Sequence, residues 1–405
     1  MSSVIHLDAL MYRPLPAIFC LLVASTAIAQ EGAETSLLQV ESAYTGEIWS
    51  QVSGGIASGE RYLDNLEVTA TVDGGQLLGL EGLQLFGYVI YNNGHAFADE
   101  LSGAMQGISN IETTRAVRLY ELWSQWQFGS GEQSIRFGLY DLNSEFDSVE
   151  TAGLFINPSH GIGPDFSQSG RNGPSIFPVT GLAVRAQKNF GAWSIQAAAL
   201  DGVPGDPDHP DRTAIRLSSE EGALLVGEVN YRAESGLRTG LGYWQYTAQF
   251  DDLTATTSAG EPRQRDDNAG AYAIVESPTF FANAAEQGLN LFVRVGAAQA
   301  DINPVGRYLG AGAVYSGLFV SGRDQIGVAI AVAELGDPYR RAQAEAGFAT
   351  EAREYNYELT YRFDAADWLA LQTDVQYIRN PGMDPQLDSG WAVGLRFELS
   401  GGWSR

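Results

Sequence analysis

Residues 139–178 read LYDLNSEFDSVETAGLFINPSHGIGPDFSQSGRNGPSIFP, a long polar run between segments that alternate apolar with polar residues. Just before it, Ile135, Phe137 and Leu139 alternate with Ser134, Arg136, Gly138 and Tyr140. Inside the run that period is lost. Gly161, Gly163, Gly170 and Gly173 allow tight turns, and Pro158, Pro164, Pro174 and Pro178 stiffen the chain between them. A connection of this length in a compact fold is uncommon unless it serves a function. What it does depends on the wall that the flanking segments build.

From Leu37 onward the period is two, in segments of about ten residues separated by turn signals. Leu289, Leu291, Val293 and Val295 alternate with Asn290, Phe292, Arg294 and Gly296. Tyr355, Tyr357, Leu359, Tyr361 and Phe363 alternate with Asn356, Glu358, Thr360 and Arg362, and Trp391, Val393, Leu395, Phe397 and Leu399 with Ala392, Gly394, Arg396 and Glu398. A soluble sandwich shows the same alternation, so segment count and loop length must decide. Strands are expected near 40–53, 62–73, 83–92, 115–128, 133–141, 180–189, 192–200, 222–232, 236–247, 270–276, 289–299, 309–319, 325–334, 354–363, 368–378 and 390–399. That is sixteen, an even number, as bacterial outer-membrane barrels require.

The connections alternate as well. Those after Phe128, Asn189, Arg232 and Phe363 are tight, whereas 93–114, 142–179, 201–221, 248–269 and 335–353 are long. Short periplasmic turns and long outer loops produce this pattern. The expected fold is therefore all-β: a sixteen-stranded antiparallel transmembrane β-barrel whose third outer loop, the opening run, folds into the channel. The connection 277–288 breaks the rule, being long where a short turn belongs; it reads as a one-turn helix or a misplaced strand boundary. Trp49, Trp123, Trp126, Tyr231, Trp244, Tyr315, Trp368 and Trp391 lie near segment ends, where interfacial girdles sit.

An apolar stretch from Leu15 to Ala24 leads to a small-residue site at Ala27-Ile28-Ala29, so residues 1–29 read as a secretory signal peptide and 30–405 as one barrel domain. The single cysteine, Cys20, falls inside that peptide, which leaves no disulfide framework and no cysteine metal site. With Lys+Arg 24 against Asp+Glu 49 the net charge is −25, which argues against a nucleic-acid partner. Lys188 is the only lysine, so nearly every cation is a planar guanidinium.

Enzyme motifs are lacking: there is no Gly-x-Ser-x-Gly, no His-Glu-x-x-His and no phosphate-binding glycine loop. His95, His160 and His209 fall in separate loops, so neither a catalytic triad nor a histidine metal site is expected, and no cofactor is implied. Asp201, Asp206, Asp208 and Asp211, and Asp251, Asp252, Asp266 and Asp267, read as solvated loops; cation bridging to lipopolysaccharide is the alternative. Arg136, Arg185, Arg294, Arg362 and Arg396 take the polar face, with Glu358, Asp374 and Glu398 beside them. A charge facing lipid at mid-depth costs about 2–4 kcal/mol, so these residues point to the lumen, where Arg and carboxylate side by side either hydrogen-bond sugar hydroxyls without a strong net field or brace the wall. In the loop, Asn143, Glu145, Asn157, Asp165, Gln168, Ser169 and Asn172 are hydroxyl-binding types, and Phe146, Phe155, Phe166 and Phe177 could stack on a sugar ring.

The stretches GISNIE, RLYELW, RFGLYDLNSEF and LFINPSHGIGPDFSQSGRNGPSIFPVTGLAVR, with YNYELTYRF and DVQYIRNPG downstream, resemble the carbohydrate-selective porin family. YTGEIWSQVSGG, NLEVTATVDGG and VIYNNG near the N-terminus are similar too. The resemblance implies a sixteen-stranded outer-membrane porin whose third loop narrows the pore and which passes monosaccharides by diffusion. Position by position it assigns Arg136, Asp141, Asn143, Glu145, Phe146, Asn157 and Phe177 to the constriction, and the polar-face arginine Arg185 joins them. The alternative reading is an outer-membrane or secreted enzyme acting on lipid or polysaccharide. The tail departs from the pattern: such barrels end in an aromatic residue, but here Gly401-Gly402-Trp403-Ser404-Arg405 follow the expected last strand, either with Trp403 in that role or as a periplasmic tail. Outer-membrane lipid and lipopolysaccharide are the expected surroundings. Monomer and homotrimer both fit, since a lipid-facing wall and a subunit interface are equally apolar.

Overall fold

The computed structural model describes residues 36–282, 287–320 and 322–405, so the expected signal peptide lies outside the described residues. The chain forms β1 (Leu38–Gly55), β2 (Gly59–Asp73), β3 (Leu83–Asn92), β4 (Ala116–Phe128), β5 (Gln133–Tyr140) and β6 (Gly181–Phe190). It continues through β7 (Trp193–Asp201), β8 (Ala223–Arg232), β9 (Arg238–Tyr246), β10 (Phe250–Thr256), β11 (Pro262–Arg265) and β12 (Ala269–Glu276). The last third holds β13 (Gly288–Ala298), β14 (Val305–Ser316), β15 (Asp324–Leu335), β16 (Arg353–Ala366), β17 (Leu369–Arg379) and β18 (Asp388–Ser404). Sixteen of these close into an antiparallel barrel in which each strand pairs with its neighbours in sequence and β1 pairs with β18; β10 and β11 form a separate hairpin. Closure leaves no unpaired strand edge, the condition for a sheet in hydrocarbon.

The period-two reading holds around the whole wall. Outward positions such as Val117 and Leu241, each 66% exposed, form an apolar band to which every wall strand contributes, while inward positions are polar or packed. Exposed Trp126, Phe128, Phe190, Trp193 and Trp368 ring the short-turn end, with the Trp193 and Tyr231 rings 4.8 Å apart. Trp49, Trp123 and Trp244, expected in girdles, instead point inward and are buried. Parity decides this: each shares a face with an inward polar or packed neighbour two residues on, Gln51, Gln125 and Tyr246.

Other expectations need correction. The last strand runs through the glycines to Ser404, pairing Trp403 with Val40 and Ser404 with Gln39, so the tail belongs to the wall and Trp403 sits on its outer face. β14 starts four residues earlier than expected and stops at Ser316, because Gly317 turns left-handed (φ 71°) and Phe319 and Val320 donate their amides to the Asp324 carboxylate. Leu318-Phe319-Val320 is thus an apolar turn. The long connection after β12 extends the hairpin through a bridge between Phe280 and Leu289, bonded at 2.8 and 2.9 Å. Two outer loops carry structure that a period-two reading misses: the β10–β11 hairpin and, after β15, a helix over Asp337–Glu345.

Replacing Leu241 by Arg should lower stability by about 2–4 kcal/mol in lipid vesicles, measured by urea unfolding. An unchanged unfolding midpoint would remove this face from the lipid.

Candidate functional site

Between β5 and β6 the chain enters the barrel. Asp141 starts the descent, its carboxylate accepting from Asn143 N at 2.8 Å, and short helical turns follow at Leu142–Ser144, Glu150–Leu154, Pro158–His160 and Pro164–Ser167. Asn157 caps the third turn through Ser159 N, and Pro158 and Pro164 open their turns, where a missing N–H costs nothing. Asn143 Nδ2 donates to the carbonyls of Phe146, Asp147 and Gly161 at 3.1, 3.2 and 3.1 Å, tying the descending limb to the rising one.

The loop reaches the short-turn end. Ser148 O accepts from Arg238 at 2.9 Å, Glu150 pairs with Arg232, and Thr151 N donates to Glu276 at 2.6 Å. These three wall residues are the first of β9, the last of β8 and the last of β12. On the way back Ile156 N and Asn157 N donate to Glu358 at 2.6 and 3.1 Å, Tyr308 donates to Ser159 O, and Phe166 stacks on Trp244 with centroids 4.9 Å apart and planes 5° apart.

The strongest anchor is Arg294. It binds Asp147 through two bonds of 3.0 and 2.6 Å and also binds Asp165, with all three side chains almost fully buried. Loop and wall approach closely enough that a Cβ on Gly163 would lie 2.1 Å from Arg294 Nη1, and one on Gly296 2.1 Å from Asp165 Oδ2. Both positions must be glycine for the triad to close.

The loop before β4 also folds inward, which the sequence reading did not anticipate. Glu354 of β16 accepts from Met105 N and Gln106 N at 2.8 and 2.9 Å, and Gln376 donates to Ile108 O at 2.9 Å. Asn157 joins the two inward loops by donating to Gly107 O at 2.9 Å. Glu354 was the available signal: a carboxylate on inward parity must find donors.

The eight expected site residues separate into three groups. Arg136 and Glu145 face each other at 3.4 Å with side chains 12% and 21% exposed, and Arg136 lies 3.9 Å over the Trp123 ring. Arg185 stands behind them, holding Glu145 at 2.8 and 2.6 Å and sharing Gln125 Oε1 with Arg136. Gln125, Arg136 and Arg185 are direct cross-strand partners on β4, β5 and β6. Asp141, Asn143, Asn157 and Phe177 line an outer cavity of about 680 Å³ between the two inward loops, Asp141 accepting from Tyr120 at 2.7 Å. Phe146 and Phe166 have no exposed surface and belong to the packed core; Phe155 belongs to that core too but borders the cavity, and Phe177, half-buried, lines it.

Arg294 meets the wall expectation as a brace, and Arg362 and Arg396 face the lumen with Glu398. In the outer loops Asp206 is paired by Arg212 and Arg216, and Asp252 and Asp267 by Arg265, so these acids are already neutralised by nearby arginines. His160 is fully buried without a hydrogen-bond partner, and burial pushes its pKa down to about 3, which keeps it neutral.

The sequence pattern of the carbohydrate-selective porins, OprB family, matches residues 57–400. Porin B of Pseudomonas aeruginosa is 25% identical over 395 residues, spanning 88% of this chain and 86% of that one. Among solved structures, the high-pH structure of Pseudomonas putida OprB matches with a TM-score of 0.79 at 22% identity, over 90% of this chain and 94% of the other. The outer membrane channel DcaP of Acinetobacter baumannii matches at 0.57 and 10% identity, over 90% and 96%. At such identities the solved structures speak for the barrel alone.

Arg294→Ala leaves Asp147 and Asp165 buried without their cation and should cost about 3–5 kcal/mol. The freed loop should raise single-channel conductance; unchanged conductance would mean that the other contacts suffice to hold it. In the loop before β4, Glu112 Oε1 accepts from Phe97 N and Ala98 N at 2.6 and 2.7 Å while Oε2 has no partner, and burial pushes this carboxyl from 4.5 up to about 7. A raised folded-state pKa means that its stabilising contribution is complete below about 4.5 and lost as pH rises through about 7. Protection of the Phe97 and Ala98 amides from hydrogen exchange, corrected for intrinsic rates, should therefore be greater at pH 5 than at pH 8. Equal protection would refute the assignment.

Proposed function

The chain belongs to the carbohydrate-selective porin family, OprB, and on that premise we propose that Arg136 and Glu145 are the contacts that grade sugar passage through it. The protein is a sugar-preferring outer-membrane porin, a diffusion channel and not an enzyme. The observation that carries the residue assignment is the partly exposed Arg136–Glu145 pair, braced from behind by buried Arg185.

Such a pair offers a neutral polyol both kinds of partner it needs. The guanidinium donates to hydroxyl oxygens, the carboxylate accepts from hydroxyl protons, and the opposite charges at close range leave little net field to hold an ion. Trp123 beneath Arg136 fixes the plane of the fork, and Arg185 and Tyr140 orient Glu145. Little ordering then remains when a sugar arrives. Asp141, Asn143, Asn157 and Phe177 form the approach from the outer cavity, with Phe177 supplying an apolar face. Phe146 supports the loop from within.

In planar bilayers, glucose should reduce the current in a saturable way, and Arg136→Ala and Glu145→Ala should each raise ion conductance and weaken that block about tenfold, the loss of one charge-assisted hydrogen bond. If both variants keep the parental conductance and block, the pair only braces the wall.

A further inference from the structure

On the far side of the inward loop lies a second polar surface that the constriction does not use. Ser316, Gln325, Arg362, Gln372 and Arg396 are successive cross-strand partners on β14 to β18. Their strands are about 4.8 Å apart, so the side chains form one continuous polar row across the wall. Ser316 and Gln325 stand next to the β14–β15 turn, which places the row in the periplasmic half of the channel. The loop tip from Glu150 to Leu154 faces it, pinned by Gln372 Nε2 donating to Leu154 O at 2.7 Å. Between them is a recess of about 540 Å³, within the roughly 300–1,000 Å³ usual for small-molecule sites.

We propose that this recess is an exit-side sugar site, distinct from the Arg136–Glu145 constriction, in which Arg362 and Glu398 make the main contacts to a monosaccharide leaving toward the periplasm. The inference rests on the porin reading above. Three observations carry it. The first is open bonding capacity: Arg362 meets Glu398 only at 3.4 and 3.5 Å, and the two side chains are 27% and 29% exposed. Arg362 donates its one close bond to Asp364, at 3.1 Å through Nε, which leaves the Nη fork toward the recess. Arg294, by contrast, is saturated by carboxylates and 3% exposed. The second is charge: the recess is lined by Arg362 and Arg396 against Glu150 and Glu398, so its formal charges cancel and it suits a neutral polyol better than an ion. The third is continuity. Gly153 borders both this recess and the outer cavity, and a side chain there would meet no atom within 4 Å, so the loop tip leaves free space where the two adjoin.

The test uses the full barrel in planar bilayers with D-glucose added to one side at a time. Replacing both Arg362 and Glu398 by Met keeps the side-chain bulk and removes the polar contacts. The apparent affinity for glucose added from the periplasmic side should fall about threefold or more, with a smaller effect from the extracellular side. Unchanged affinity from both sides, or an equal loss from both, overturns the proposal. Should the double variant fail to assemble, a second measurement stands alone. The only native cysteine is Cys20, within the expected signal peptide, so Gln325→Cys introduces a single thiol in the recess, and Ser130→Cys one on the exposed β4–β5 turn at the same end of the barrel. Saturating glucose should slow maleimide labelling at position 325 about threefold or more and leave position 130 unaffected. No protection at 325, or equal protection at both, overturns the site. Failure of the constriction reading looks different: Arg136→Ala and Glu145→Ala would leave block unchanged while protection at position 325 persists.

Discussion

A loop placed inside a membrane channel brings its backbone amides with it, and the wall of this barrel answers them with carboxylates. Glu228 accepts from Asp147 N, Glu276 from Thr151 N, Glu358 from Ile156 N and Asn157 N, and Glu354 from Met105 N, Gln106 N and Gly382 N. Hydrogen bonds to charged acceptors contribute about 1.5–3 kcal/mol each, against a similar cost for leaving a buried donor unmet. The inward loops hold their course because these acceptors stand on inward parity on three strands around the wall, β8, β12 and β16. Part of the acidic excess of the chain is thereby explained as structure and not as surface charge.

The near-exclusive use of arginine follows from the same confinement. A planar fork can serve two or three carbonyl or carboxylate oxygens in fixed directions, which a lysine ammonium on a flexible stem does less well. Arg294 joins two points of the loop that are distant in sequence, Asp147 and Asp165, to one point of the wall. Arg185 serves Glu145, Gln125 and Ser134 together. The arginines differ in how much capacity these duties leave: none at Arg294, some at Arg136 and Arg362. That remainder is what a passing solute meets.

The loop divides the lumen unevenly. Its apolar side chains pack with Trp244, Tyr272 and Phe292 into a solid core against one side of the wall. The same cluster takes in Trp123 and Tyr140, which touch Arg136 and Glu145, whereas the polar row on β14 to β18 faces the loop from the other side. A porin that favours sugars gains from this packing, since it sets the position of Glu145, and a fixed polar pair discriminates solutes better than a mobile one.

The barrel was legible in the sequence because side chains on a strand alternate with a period of two and each segment displays that alternation locally. Strand number, closure, the long-loop end and the inward direction of five arginines all follow from it, and the motifs around residues 107–185 resemble the porin family without any coordinates. Side-chain partnership inside the lumen was not legible. Asn143, Asn157 and Glu145 are the same residue types whether they bind sugar or backbone, and only the folded loop shows that Asn143 is committed to three carbonyls and Phe146 to the core, while Glu145 keeps an exposed edge. The inward turn of residues 93–115, the depth of the Glu150 tip and the polar row from Ser316 to Arg396 likewise depend on contacts between segments far apart in the chain. Alternation is a property of one strand and is written along it; the register between strands and the path of a loop across the lumen are set by packing and hydrogen bonding among distant residues, and these exist only once the barrel has closed.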